Sequence, residues 1–341
     1  MDVLSRLDDA YAKPFSNLDK GEVGGFIAQL EGRLKVNNID PVELFEGRSC
    51  LDAGCGSGRG AIMMALNGAN KVVARDISEL NLLTVRKNAK LFRVHDKIDY
   101  SCGSIESIDV DNESIDFVWC NGVVHHTTNP TACLRELSKV LKVGGRMWLY
   151  LYGAGGLKYK MVDIFRECIP PDRESIESIL YQESNHQTAY YLDNICTPII
   201  ERYNWLDIYY ALAFLGFGDC IPLKRGLPYD ASERLFCNYI SDVPYIGEGD
   251  LRYLCTKEVQ PLSGEFGKSI SNITTYTKEV ETFFNSMDFE DRLNKMDLGS
   301  KVKASFNLMF YLQDQYKKIN RSLDMIKIKI YFSKALDRVW I

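Results

Sequence analysis

No stretch of this sequence approaches the roughly 18 uninterrupted apolar residues needed to span a bilayer. Its start, MDVLSRLDDAYAKPF, lacks the basic-then-apolar order of a signal peptide. Those two absences predict a cytoplasmic protein without a membrane role. The ten cysteines include no C-x-x-C pair and no Cys/His grouping at zinc spacing, so a metal or disulfide framework is not expected. Reduced thiols filling core positions are expected instead. A basic excess is lacking too: a net charge of −5 argues against a protein built mainly to hold nucleic acid, because phosphate neutralisation needs a basic surface. No repeat and no low-complexity tract stands out.

What is present is an ordinary soluble composition, 26% charged and 46% hydrophobic over 341 residues. That length suits a core of about 200 residues with additions. The charge is unevenly spread. From Lys301 to Ile341 there are nine Lys/Arg against three Asp, a local +6 that leaves −11 for the rest. Such a face is either simply solvated or offered to an acidic partner.

Between Cys50 and Leu151 short apolar runs alternate with helix-like segments, the pattern of a parallel sheet with crossover helices. Strands are predicted near Cys50–Ala53, Lys71–Arg75, Ile98–Cys102, Ile115–Cys120 and Arg146–Tyr150. Helices are predicted near Gly58–Leu66, Ser78–Phe92 and Thr131–Leu141, with Lys142 to Gly145 ending the last of them at a left-handed glycine cap. The domain plan has a helical N-terminal cap over 1–46 that covers the ligand site and a cofactor-binding core over 47–152. An inserted substrate lid follows over 153–205, then the remainder of the core over 206–265 and a helical C-terminal extension over 266–341. Met309, Leu312, Tyr316, Ile319, Leu323, Ile326 and Ile330 recur at alternating spacings of three and four. This heptad seam predicts one long helix packed on the chain's own body or on a second subunit.

The chemistry concentrates after the first strand. Glycines in Asp52-Ala-Gly54-Cys-Gly56-Ser-Gly58 allow a tight turn whose backbone can closely approach a ligand. The turn opens onto a helix, so free N–H groups and the positive end of the dipole face an anionic group. Alone, this is equally a strand-to-helix turn with no ligand. The second strand, however, ends in Asp76, 20 residues after Gly56, where a carboxylate can accept ribose hydroxyls. Asp76 could instead cap the helix that begins near Ser78. Gly56-x-Gly58-x-x-Ala61 also fits a loose nicotinamide fingerprint, but one that starts two residues late.

LDAGCGSG, VVARDIS, GSIES, ESIDFVWCNGVVHHTTNP and LKVGG, in that order over Gly47–Tyr152, resemble the motifs of class I S-adenosylmethionine-dependent methyltransferases, especially small-molecule enzymes related to quinone-biosynthesis methylases. The resemblance implies an α/β, doubly wound, mostly parallel seven-stranded Rossmann-like sheet with helical additions. It implies S-adenosylmethionine as cofactor and S-adenosylhomocysteine as product. Asp52, Gly54, Cys55, Gly56 and Gly58 would then surround the methionyl part, Asp76 and Ile77 the ribose, and Ser104 and Ile105 the adenine. Asn121 and Gly122 would lie beside the sulfonium. The family commonly carries an acid at the position of Ser104, so adenine recognition would rest on a hydroxyl or on backbone groups.

The implied activity is methyl transfer to an O, N, S or C atom of a small molecule by direct displacement. His126 and His125, just after the fourth strand, are candidates for taking an acceptor's proton, with His186 in the insertion a further candidate. Histidine at the position of His126 is common in the family across different acceptors, so shaping the pocket is the alternative role. Tyr150, Tyr152, Tyr190 and Tyr191 are candidates to line the acceptor site or to pack the core. Gly122 and His125 stand where some relatives carry metal-binding acids, so no metal is predicted. The D/N-P-P-Y tetrad of adenine and glutamine amide methylases is missing. Methylation of RNA or protein, or a non-catalytic binding protein that keeps the fold, are the alternatives. The expected partner is the small-molecule acceptor, with no nucleic acid, and the chain either monomeric or dimeric through the heptad helix.

Overall fold

The structure is a computed structural model that describes residues 18–223, 240–261, 270–317 and 323–337. In chain order the elements are α1 (Lys20–Lys35), α2 (Pro41–Phe45), β1 (Ser49–Ala53), α3 (Arg59–Leu66), β2 (Lys71–Asp76), α4 (Glu79–Leu91), β3 (Ile98–Cys102), β4 (Ile115–Asn121), α5 (Pro130–Val140) and β5 (Leu141–Tyr152). Then come α6 (Gly156–Cys168), α7 (Arg173–Ile179), α8 (Asn185–Cys196), α9 (Trp205–Phe214), β6 (Phe217–Pro222), α10 (Val243–Ile246), β7 (Asp250–Lys257), α11 (Lys278–Asn285), α12 (Phe289–Asn294), α13 (Leu298–Lys317) and α14 (Met325–Asp337). Two compact units divide the chain. One comprises Met1–Tyr152, Pro198–Leu227 and Asp250–Asn272; the other comprises Gly153–Thr197, Pro228–Gly249 and Ile273–Ile341. Among the described residues no helix is long and apolar enough to cross a membrane.

The first unit is built on a seven-stranded sheet in the order β3-β2-β1-β4-β5-β7-β6. β1 pairs in parallel with β2 on one side and β4 on the other, so the strand order reverses at β1/β4. Strand ends at such a reversal diverge and leave a crevice outside their carboxyl edges. The central strands are buried almost throughout, β4 carrying Phe117, Val118, Trp119 and Cys120 with both faces covered, which suits near-continuous apolar runs rather than alternation. β7 runs antiparallel between β5 and β6, a reversed strand that the sequence pattern did not disclose.

The glycine cap predicted at Lys142 to Gly145 is not a helix end. α5 stops at Val140, β5 starts at Leu141, and Gly144 (φ +83°) lies in a bulge where pairing with β4 jumps from Ile115–Leu141 to Phe117–Arg146. Buried Lys257 from β7 donates through Nζ to the carbonyls of Ser138 (2.9 Å) and Leu141 (2.8 Å). A lysine thus satisfies orphan carbonyls that a glycine cap would otherwise serve.

The second unit is helical. α6, α7 and α8, from the segment predicted as a lid, share one apolar core with the C-terminal helices, including Met161, Phe165, Ile176, Tyr191, Phe284 and Phe332. The hydroxyls of Tyr191 and Ser305 bond to each other inside it, and Tyr316 donates to the Tyr245 carbonyl at 2.9 Å. The heptad seam does not run along one helix. Met309, Leu312 and Tyr316 are buried on α13, but α14 is a separate helix that buries Ile328, Phe332 and Leu336. Ile326 and Ile330 are instead 73% and 48% exposed, and Ile319 lies outside the described residues. With Leu323 and Asp324 outside any helix, α14 meets the core with a different stripe from the one a continuous period would present.

Candidate functional site

The loop after β1 sits at the sheet reversal. The N–H groups of Gly54 and Cys55 both donate to the Arg75 carbonyl at 2.9 Å, which binds the loop to the end of β2. Gly54 and Gly58 adopt positive φ, +76° and +83°, against Val123 and Val85. Gly56 differs: its φ is +52° and nothing lies within 4 Å of where a Cβ would stand. A left-handed backbone with open space on that side leaves main chain approachable, as a ligand cradle requires. Gly60, in the following helix, has another constraint. A Cβ there would lie 2.7 Å from Trp119 Cδ1 and 2.8 Å from Asp52 Oδ2. That close helix-to-strand contact is a function of Gly60 that the sequence did not disclose.

Two carboxylates hold the loop. Asp52 is buried and accepts from Ala61 N–H at 2.6 Å in the first turn of α3. Burial pushes its carboxyl up to about 7, with the Ala61 bond acting in the other direction. Asp76 accepts from Gly56 N–H through Oδ2 (2.8 Å), and from Ser78 N–H (2.9 Å) and Asn81 Nδ2 (3.1 Å) through Oδ1. The same carboxylate therefore anchors both the glycine loop and the start of α4, where Ser78 is itself the N-cap.

The loop after β3 is positioned by Arg75, a role that no local sequence pattern marks. It is 5% exposed and donates through Nε to Ser104 O (3.1 Å), through Nη1 to Ser101 Oγ (2.5 Å) and through Nη2 to Ser107 O (2.7 Å). Ser104 Oγ accepts from Glu106 N–H at 3.1 Å, while Ile105 is buried in the sheet core. Ile77, beside Asp76, is 39% exposed. Glu106 Oε1 in turn accepts from the N–H groups of Thr128 (2.7 Å) and Asn129 (2.9 Å), linking this loop to the one after β4.

After β4, Asn121 Oδ1 accepts from Trp148 Nε1 at 2.9 Å, and Trp148 stacks on Trp119 with centroids 4.5 Å apart. Gly122 takes φ +81° and donates to Tyr150 O at 3.1 Å. His125 and His126 lie in a single 3-10 turn, Val124–His126. His125 is wholly buried and stacks on Tyr152 at 3.9 Å, a packing environment. His126 Nδ1–H donates to Ile199 O at 2.7 Å. Because a carbonyl only accepts, this bond places the proton on Nδ1 and makes Nε2 the basic nitrogen. Arg252 of the unforeseen β7 lies over the Tyr150 ring at 4.6 Å and meets Asp250 at 3.3 Å.

The other candidates lie elsewhere. The structure brings the residues around Asp52, Asp76, Ser104, Asn121 and His126 to one edge of the sheet through four strand ends. Tyr191 is in the helical core, bonded to Ser305, so it packs rather than lines a site. Tyr190 packs on Phe310 at 5.8 Å. His186 belongs to α8, but its side chain lies outside the described residues.

A family model described as a methyltransferase domain matches residues 51–149. The chain is 32% identical over 148 residues to a ubiquinone biosynthesis O-methyltransferase of Neisseria meningitidis, covering 39% of this chain and 62% of that protein. It is 30% identical over 168 residues to a protein of the same description from Coxiella burnetii, covering 42% and 70%. The chain thus spans about three fifths of the length of the first curated relatives it matches. Among solved structures, a 1,6-didemethyltoxoflavin-N1-methyltransferase of Burkholderia thailandensis aligns with TM-score 0.45 and 14% identity, covering 75% of this chain and 88% of that one.

Proposed function

Because the chain belongs to the class I S-adenosylmethionine-dependent methyltransferase family, we propose that it transfers a methyl group from S-adenosylmethionine to a small-molecule acceptor by direct displacement. The observation that carries the reading is the loop at Gly56, left-handed and open on its Cβ side while Asp76 holds its N–H. When bound, S-adenosylmethionine supplies a methyl on an already electrophilic sulfonium. The chain's own task is then mainly alignment of the acceptor, which effective-molarity arguments value at roughly 7–11 kcal/mol.

In this reading Asp52, Gly54, Cys55, Gly56 and Gly58 hold the methionyl part, Asp76 and Ile77 the ribose, Ser104 and Ile105 the adenine. Asn121 and Gly122 flank the sulfonium. The curated relatives are described as O-methyltransferases, and where the acceptor oxygen is a hydroxyl it carries a proton that has to leave. His126 Nε2 takes it, with Nδ1–H anchored on Ile199 O. His125 packs behind it, and His186 is a second-rank candidate. The nine described cysteines are free thiols, which suits work in a reducing cytoplasm.

Titration calorimetry of the full chain with S-adenosylmethionine tests the donor, and no detectable heat at millimolar ligand overturns it. Labelled-methyl transfer to a panel of phenolic acceptors tests the reaction. His126→Ala should lower turnover by about 100-fold or more at unchanged cofactor affinity; normal turnover would make His126 structural.

A further inference from the structure

Cys220 and Cys255 stand directly opposite one another on neighbouring antiparallel strands, Cys220 on the sheet-edge strand β6 and Cys255 on β7. Opposed residues of an antiparallel pair have Cα atoms about 4.5 or 5.5 Å apart. Both spacings fall inside the roughly 4.4–6.8 Å that a disulfide bridges. The two side chains share the face of the sheet that packs on Leu137, Ala211 and Leu212, and both are free thiols.

The pair is also polarised. Cys255 is fully buried and Cys220 only partly, so a reagent in solvent meets Cys220 first. The hydrogen bond with Cys255 draws the Cys220 thiol below its ordinary range, while burial holds Cys255 well above it. The thiolate is the nucleophile in disulfide exchange, which makes Cys220 the attacking group and Cys255 the resolving one.

We propose that Cys220 and Cys255 form a reversible redox pair, a dithiol at the sheet edge that a small-molecule disulfide such as oxidised glutathione converts to an intramolecular cross-strand disulfide. The Cys220 thiolate attacks one sulfur of the small disulfide, forming a mixed disulfide and expelling one small thiolate, which takes up a proton. Cys255 then gives its proton to solvent, attacks the Cys220 sulfur and expels the second small thiolate. Two protein thiols are oxidised and one disulfide is reduced to two thiols. The product ties the edge strand to β7, the strand that presents Arg252 to Tyr150. This site is independent of methyl transfer.

The test is to incubate the full chain with oxidised glutathione, trap remaining thiols by alkylation and map peptides by mass spectrometry without reduction. A peptide joining residues 220 and 255 is expected, with both thiols restored by dithiothreitol, while exposed Cys102 carries a glutathione adduct instead. Cys255→Ser should leave glutathione trapped on Cys220. The proposal is overturned if both cysteines remain alkylatable once Cys102 has reacted, or if either crosslinks to a different cysteine. The wild-type map decides the matter even where the variant does not fold.

Discussion

The sheet unit and the helical unit bury different kinds of group. In the sheet unit Asp52, Arg75, Asp76, Arg252 and Lys257 are each at most 7% exposed, and each bonds backbone or an opposite charge. In the helical unit the buried polar side chains among the described residues are Asn194, Thr197, Ser305 and a single charged one, Asp242, which accepts from Leu323 N–H at 2.9 Å. Burying an ionised group is costly unless it is paired. Three of the sheet-unit groups hold loops that have no regular ladder of their own, Asp52 and Asp76 the one after β1 and Arg75 the one after β3, while Lys257 serves the end of α5. Helices satisfy their own backbone, so the other unit is stabilised chiefly by apolar burial.

The contrast can be broken by experiment. Phe332 is fully buried among Phe283, Phe284 and Phe289, so Phe332→Ala should destabilise by about 4 kcal/mol in denaturant unfolding. S-adenosylmethionine affinity should stay unchanged in calorimetry; a weakened affinity would draw the helical unit into the donor site. Asp52 should give the next largest effect, and a pH-dependent one. Its folded-state carboxyl titrates near 7 against an ordinary value of 3.8, so the fold retains a proton that the unfolded chain releases. That contribution is fully present below about pH 4 and is lost as pH rises through 7. Asp52→Asn should therefore gain on the wild type by a few kcal/mol between pH 4 and 7.5. Parallel pH profiles of the two would show the burial of Asp52 to be inconsequential.

Asp76→Ala removes three accepted bonds at once. It should weaken S-adenosylmethionine binding by roughly 2 kcal/mol, and unaltered binding would leave Asp76 as an anchor of loop and helix only. Smallest is Tyr191→Phe in the helical core, expected to cost about 1 kcal/mol. Ser305 Oγ also donates to Val302 O at 3.0 Å, so it is not stranded by the change. A loss several times larger would show that the helical unit, too, depends on a buried polar network.

Legibility in the sequence followed the same division. The strands and helices from Cys50 to Leu151 could be read because each carries its own period and each loop its own glycines. Gly56 and Asp76 stood out by spacing alone. Arg75, Glu106 and Lys257 did not, because their partners are backbone atoms 29, 22 and 119 residues away and leave no local mark. The heptad from Met309 to Ile330 misled for the opposite reason. Periodicity records where apolar residues fall, not whether the helix beneath them is continuous.

By itself the sequence determined the order of strands and crossovers, the turn after β1 and the acid after β2, all properties of contiguous residues. Only the tertiary structure decided that β7 enters the sheet reversed, that a lysine rather than a glycine serves the end of α5, and that Cys220 meets Cys255. The same holds for His126, whose Nδ1 is held by Ile199 O. Those facts depend on which distant backbone groups come within about 3 Å, and chain packing sets that distance.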